Sequence, residues 1–190
     1  MSGGPKERIE RVAADLLARD GYNGMGLKAI SDGASLPYGS IYHHFPSGKE
    51  GIAVAAISSM GSYTGALLSE LAAGGVTDAV IHAMFGFMAD RLDASDWTKG
   101  CTIGTPALDG AAGSEPVRDS CDAAFSSLVE TLASALERQG LARIDADDLA
   151  TTIIAAYEGA TMLARTRRSR GPLDATAAAM CRLLRATLDG

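Results

Sequence analysis

Residues 33–50 of this 190-residue chain read GASLPYGSIYHHFPSGKE, with two tyrosines, two adjacent histidines, serines and a lysine in one short stretch. Imidazoles can hold metal ions or move protons. Phenols, hydroxyls and imidazoles can also donate to phosphate oxygens. Metal ligation by His43 and His44 is disfavoured by geometry, because consecutive helical residues point about a hundred degrees apart. No cysteine or carboxylate cluster lies near them in the sequence. Catalysis has no better foothold: GxSxG, GxxxxGK[ST] and HExxH are absent, and no carboxylate pair is matched to the histidines. We therefore expect no metal, no cofactor and no enzyme activity. A small helical enzyme using His43, His44 or Cys101, or a scaffold protein using a C-terminal pocket, stands as the alternative.

The elements that position this stretch are helices. Pro5 followed by KERIERVAADLLARDGY is amphipathic, with Ile9, Val12, Leu16 and Leu17 at spacings of three and four and Gly21 as its stop. LKAISDGA then gives a short helix with Leu27, Ile30 and Ala34 on one side. Pro37 fits the first turn of the next, which runs to about His44 and is closed by FPSG. Within it Ile41 and Phe45, four apart, should pack inward.

Further helices are expected over 49–73, from a Thr77 cap to Leu92, near 105–112, and from a Ser114 cap to Gln139 with Pro116 in its first turn. Two more follow, one opened by Asp145 or Ala146 and one over roughly 172–188. The arginines of RTRRSRG read as a solvated helix end complementing the dipole. Nine helices and no convincing strand make the chain all-α.

Composition bounds the partners. A net charge of −6 argues against broad attraction to polyanions, but residues 1–50 carry six cationic and six anionic side chains, so the whole deficit lies beyond them. Three widely spaced cysteines, no hydrophobic leader and no uninterrupted apolar run of bilayer length give the expectation of a soluble, cytoplasmic, reduced protein.

Two short helices joined by a tight turn, with a third in front, outline a helix-turn-helix. GYNGMGLKAISDGASLPYGSIYHHFPSGKE closely resembles the N-terminal DNA-binding module of the TetR family of transcriptional regulators. The match is carried by the Gly21-Tyr22 turn, Leu27, Ile30, Gly39, Ile41, Tyr42, His44, Phe45 and Lys49-Glu50. GCTIGTPALDGAAGSEPVRDSC, Pro37 and the glycine of FPSGKE are similar to the LmrA/YxaF-like branch. The resemblance implies a helix-turn-helix domain over 1–48 and a helical effector-binding and dimerisation domain over 49–190. It also implies a homodimer binding palindromic double-stranded operator DNA, with no membrane partner.

The DNA-facing set is Lys28, Ser35, Pro37, Tyr38, Gly39, Ser40, Tyr42, His43, His44 and Lys49. Gly39 and Ser40 are small enough to let the helix start approach phosphates. Tyr38 stands where a lysine is common; it can read a base or pack in the core. Met25 replaces a frequent threonine, losing a cap and a phosphate contact, and Gly48 displaces Lys49 by one residue. Together these predict a shallower salt dependence than that of a module with the lysine retained.

The implied role of the C-terminal part is to bind a small apolar or aromatic effector that releases a repressor from its operator. Candidates for that pocket are Met60, Tyr63, Phe85, Met88, Trp97, Phe125, Tyr157 and Met162, each of which could equally be ordinary core. Cys101 could act as a redox sensor, although only Lys99 nearby would favour a thiolate.

Overall fold

A computed structural model describes residues 4–110 and 113–189. Among them the chain forms nine α-helices and no strand: α1 Pro5–Gly24, α2 Leu27–Ala34, α3 Tyr38–His44, α4 Gly48–Leu71, α5 Asp78–Ala94, α6 Gly104–Asp109, α7 Glu115–Arg138, α8 Arg143–Arg167 and α9 Gly171–Leu188. Two compact units divide them, one of Met1–Ser62 with Cys101–Ala124, the other of Tyr63–Gly100 with Phe125–Gly190. The division does not follow the motif boundary at residue 48. It runs through α4 and α7, and α6 belongs with the first three helices.

In the first unit α1 packs on α2, α3 and α6. Its apolar stripe, Ile9, Ala13, Leu16 and Leu17, is buried, as are Ile30 and Ala34 of α2 and Ile41 of α3. Gly21 does not end α1 outright. It breaks the helix at φ 72, ψ −174, after which one further turn reaches Gly24. α4 meets α7 through small side chains: a Cβ on Gly61 would lie 2.9 Å from the Ala124 Cβ. The Ser58 and Ser120 hydroxyls are 3.2 Å apart.

By length and composition alone α4 could cross a bilayer. However, Ile52, Ala53, Ala56 and Ile57 are buried in the first unit, so part of its apolar character serves the core.

In the second unit α5, α8 and α9 pack against one another around Ile81, Phe85, Leu92, Leu149, Ile153, Leu173 and Leu184. Thr77 caps α5, its hydroxyl accepting from the Val80 N–H at 3.4 Å. The Gln139 side-chain amide holds the chain before α5 by pairing with both the N–H and the carbonyl of Val76, at 2.6 and 3.0 Å.

α8 starts at Arg143, a little before the expected Asp145 or Ala146. The Arg143 guanidinium bonds Asp147 one turn ahead and Glu130 and Glu137 on α7, so the added residues have partners there. RTRRSRG is also more than a solvated end. Arg168 pairs with Asp96 at 2.8 Å, Arg170 with Asp90 at 2.6 Å, and Arg165 donates to the Thr98 carbonyl at 2.7 Å. These contacts hold a turn in which Asp96 and Trp97 both have positive φ. The expected helix near 105–112 is present over 104–109; residues 111 and 112 lie outside the described part.

Candidate nucleic-acid interface

Seven residues of α3 carry the candidate reading surface. Pro37 is its N-cap, one position before the expected first turn, with φ −69 and ψ 156. The Ser40 and Ile41 N–H groups donate back to the Pro37 carbonyl at 2.9 and 3.3 Å. No side chain caps this end. Ile41 is fully buried and Phe45 nearly so, which fixes the helix by its inner face. The outer face follows from that: Tyr38 and Tyr42, four residues apart, are 46% and 48% exposed. The core alternative for Tyr38 is thereby removed.

Gly39 lies exposed between them, and a Cβ placed on it would meet no other protein atom within 4 Å. Packing does not demand a glycine there, so its effect is to leave room outside the helix. Ser40 and His44 are half-buried, whereas His43 is exposed; the two imidazoles lie edge to face, 5.1 Å apart. Among the described residues no cluster of three or more His, Cys, Asp or Glu could hold a metal.

The cations of the expected set are engaged within the protein. Lys28 forms an exposed i,i+4 pair with Asp32 at 2.7 Å, and that hydrogen bond, with the Coulomb attraction behind it, raises its pKa. The Lys49 ammonium sits 4.6 Å from the Tyr22 ring centroid and donates to the Asn23 carbonyl at 3.3 Å. Gly48, at φ +60, makes the turn that leads Lys49 there. Ser35 is exposed in the left-handed conformation that ends α2. Met25 is fully buried and α2 has no side-chain cap, so this position serves the core.

Sequence reasoning missed the residues that hold this surface from outside the motif. The Asp109 carboxylate, at the end of α6, accepts from the Tyr22 N–H at 2.9 Å and the Asn23 N–H at 2.8 Å. Ser114 caps α7 as expected, its Oγ accepting from the Val117 N–H, and it also donates to Glu50 of α4 at 2.7 Å. The only local signals were Gly21 and Gly110, whose missing side chains leave space at the first of these contacts.

The effector candidates are brought together only in part. Phe85 of α5 and Tyr157 of α8 meet edge to face at 5.4 Å, and Met88 is buried one turn along α5. Trp97 and Phe125 are half-buried, whereas Tyr63 and Met162 are largely exposed. Met60 belongs to the first unit and the others to the second. Cys101 and Cys121 are buried in the first unit. Desolvation there, with the negative charge of Asp109 behind it, pushes the Cys121 thiol up to about 11.

Two family models match. Bacterial regulatory proteins of the tetR family cover residues 9–56, and the C-terminal domain of LmrA/YxaF-like transcriptional regulators covers residues 78–179. The chain is 32% identical over 176 residues to the uncharacterized HTH-type transcriptional regulator YxaF of Bacillus subtilis (strain 168), 90% of each chain. It is similar to a solved TetR transcriptional regulator from Legionella pneumophila, at TM-score 0.86 and 27% identity over 96% of this chain and 98% of that one. It also shares its fold with the TetR family regulator CifR, solved as a cysteine mutant complexed with 26-bp double-strand operator DNA. That likeness has TM-score 0.77 and 22% identity, over 96% of this chain and 97% of the other.

Proposed function

The chain belongs to the LmrA/YxaF-like branch of the TetR family of transcriptional regulators, and from that premise we propose that it is a dimeric, effector-released repressor acting on DNA in the cytoplasm. It is a regulator and not an enzyme. The observation that carries the reading is α3, with Ile41 and Phe45 buried and Tyr38, Gly39, Tyr42 and His43 exposed. Such a helix can lie in a major groove with its inner face fixed by α1 and α2.

Each side chain has a distinct task in this reading. Gly39 and Ser40 let the start of α3 approach the duplex. Tyr42, His43 and His44 donate to phosphate oxygens, contacts that set register without reading sequence. Tyr38 takes the place of a cation and offers its ring to a thymine methyl or its hydroxyl to a base edge. Lys28 and Ser35 flank the groove, and Pro37 fixes the entry of the helix. Lys49, held on Tyr22 and Asn23, serves the DNA by bracing the turn before α2.

One short helix reads few bases, so two copies related by symmetry would read two half-sites. α8 and α9 pack together and leave Met162, Leu163 and Leu183 exposed, which supports a dimer formed through these helices. Residues 49–190 would carry dimerisation and effector binding. The Phe85–Tyr157 pair with Met88 supports a small apolar or aromatic effector lodged among α5, α8 and α9. The effector would release DNA by favouring the conformation that fits the operator less well.

The test is DNase footprinting over the DNA upstream of the chain's own gene. A protected, two-fold symmetric segment is expected. Uniform cleavage across the region, even at the highest protein concentrations tested, would contradict the reading.

A further inference from the structure

Asp109 lies far from the helix-turn-helix in sequence, yet its carboxylate grips the turn from which that motif hangs. The Tyr22 N–H donates to Oδ1 at 2.9 Å and the Asn23 N–H to Oδ2 at 2.8 Å. The Asn23 side-chain amide donates to the Asp109 carbonyl, also at 2.8 Å. These bonds converge where α1 breaks at Gly21, and a Cβ on Gly21 would stand 2.5 Å from a carboxylate oxygen. On the other segment, a Cβ on Gly110 would stand 2.6 Å from the Tyr22 Cβ.

Two glycines remote from each other in sequence therefore make room for one contact. Lys49 adds to it, against the Tyr22 ring and the Asn23 carbonyl. Two residues further on Met25 is buried, and Gly26 opens α2.

From this geometry we propose that Asp109 is a positioning residue for operator binding: it sets the turn that carries α2 and α3 and acts on affinity without touching DNA. The proposal rests on the operator-binding reading above. Charge and position predict opposite signs for its removal. Asp109→Asn takes a negative charge from a chain of net charge −6, so electrostatics alone would tighten binding to a polyanion. The same change turns an acceptor oxygen into an NH2 group facing a backbone N–H, so one of the two amides loses its partner.

The experiment compares wild type, Asp109→Asn and Gly21→Ala, the last displacing the carboxylate while keeping its charge. Fluorescence anisotropy is measured with a labelled duplex of the DNA upstream of the chain's own gene, and amide hydrogen exchange is measured on each protein. The proposal expects exchange at Tyr22 and Asn23 to quicken in both variants while Ile41 and Phe45 stay protected. It expects operator affinity to fall about tenfold with the salt slope unchanged.

Equal or tighter binding by Asp109→Asn overturns it. So does a loss spread over every amide of α1 to α3 and matched by the unfolded fraction, which would make Asp109 merely structural. Wild type failing to bind the duplex would instead sink the operator-binding reading above, and the proposal with it.

Discussion

Gly39 separates folding from function more cleanly than any other residue of the candidate surface. A side chain there would meet no other protein atom within 4 Å, and alanine is the better helix former. Gly39→Ala should therefore leave the melting midpoint unchanged or raise stability by up to about 1 kcal/mol. In the proposed reading the added methyl lies where the duplex backbone approaches, so operator affinity should drop by at least about tenfold. Thermal melting and anisotropy on the same sample check both halves; a variant that binds as wild type would show that Gly39 does not face DNA.

Tyr38 illustrates what the sequence left open at this scale. Its i, i+3, i+7 relation to Ile41 and Phe45 permitted a buried stripe, and only the packing of α3 on α1 and α2 decides that it faces out. The engagement of Lys28 by Asp32 and of Lys49 by Tyr22 and Asn23 was hidden for a related reason. Side-chain partners across a turn or between helices leave no periodic mark.

At the scale of elements, helices with clear periodicity and punctuation were legible. α2, α3 and α5 lie where their stripes, proline and Thr77 cap put them, to within a residue or two. The start of α8 was not, because Arg143 finds its partners on α7 as well as on its own helix. Nor was the attachment of α6 to α1, since hydrogen bonds that the Asp109 carboxylate accepts from backbone amides 86 and 87 residues away have no local signature.

α7 carries a second testable consequence. Burial raises the Cys121 thiol from its ordinary 9.0 to about 11. A raised folded-state pKa means that its contribution to stability is complete below pH 9.0 and is lost as pH climbs towards about 11. Cys121→Ala should therefore flatten part of the alkaline decline over that window. Cys181, also raised by burial and by Asp78, is left intact in this variant. Urea midpoints across that pH range measure this, and an unaltered decline in the variant would refute it.

At the scale of the whole molecule, the account requires two copies. Leu163, 44% exposed on α8, can take a charge without disturbing the protomer's core. Leu163→Glu should shift the protein from dimer to monomer in sedimentation velocity and weaken operator binding together with it. Retention of the dimer would move the interface away from α8 and α9.

The net charge of −6 gives the molecule little general attraction for DNA, and in the proposed reading binding comes from specific contacts made mainly by hydroxyl, imidazole and backbone donors. With Lys28 shared by Asp32 and Lys49 turned inward, few counterions should be released.

Anisotropy with the chain's own upstream DNA, titrated across a salt series against an unrelated duplex of equal length, tests this most directly. The account predicts saturable binding to the upstream duplex, much weaker binding to the unrelated one, and a modest loss of affinity with salt. Equal affinity for both duplexes, or no binding to either at low salt, would contradict it.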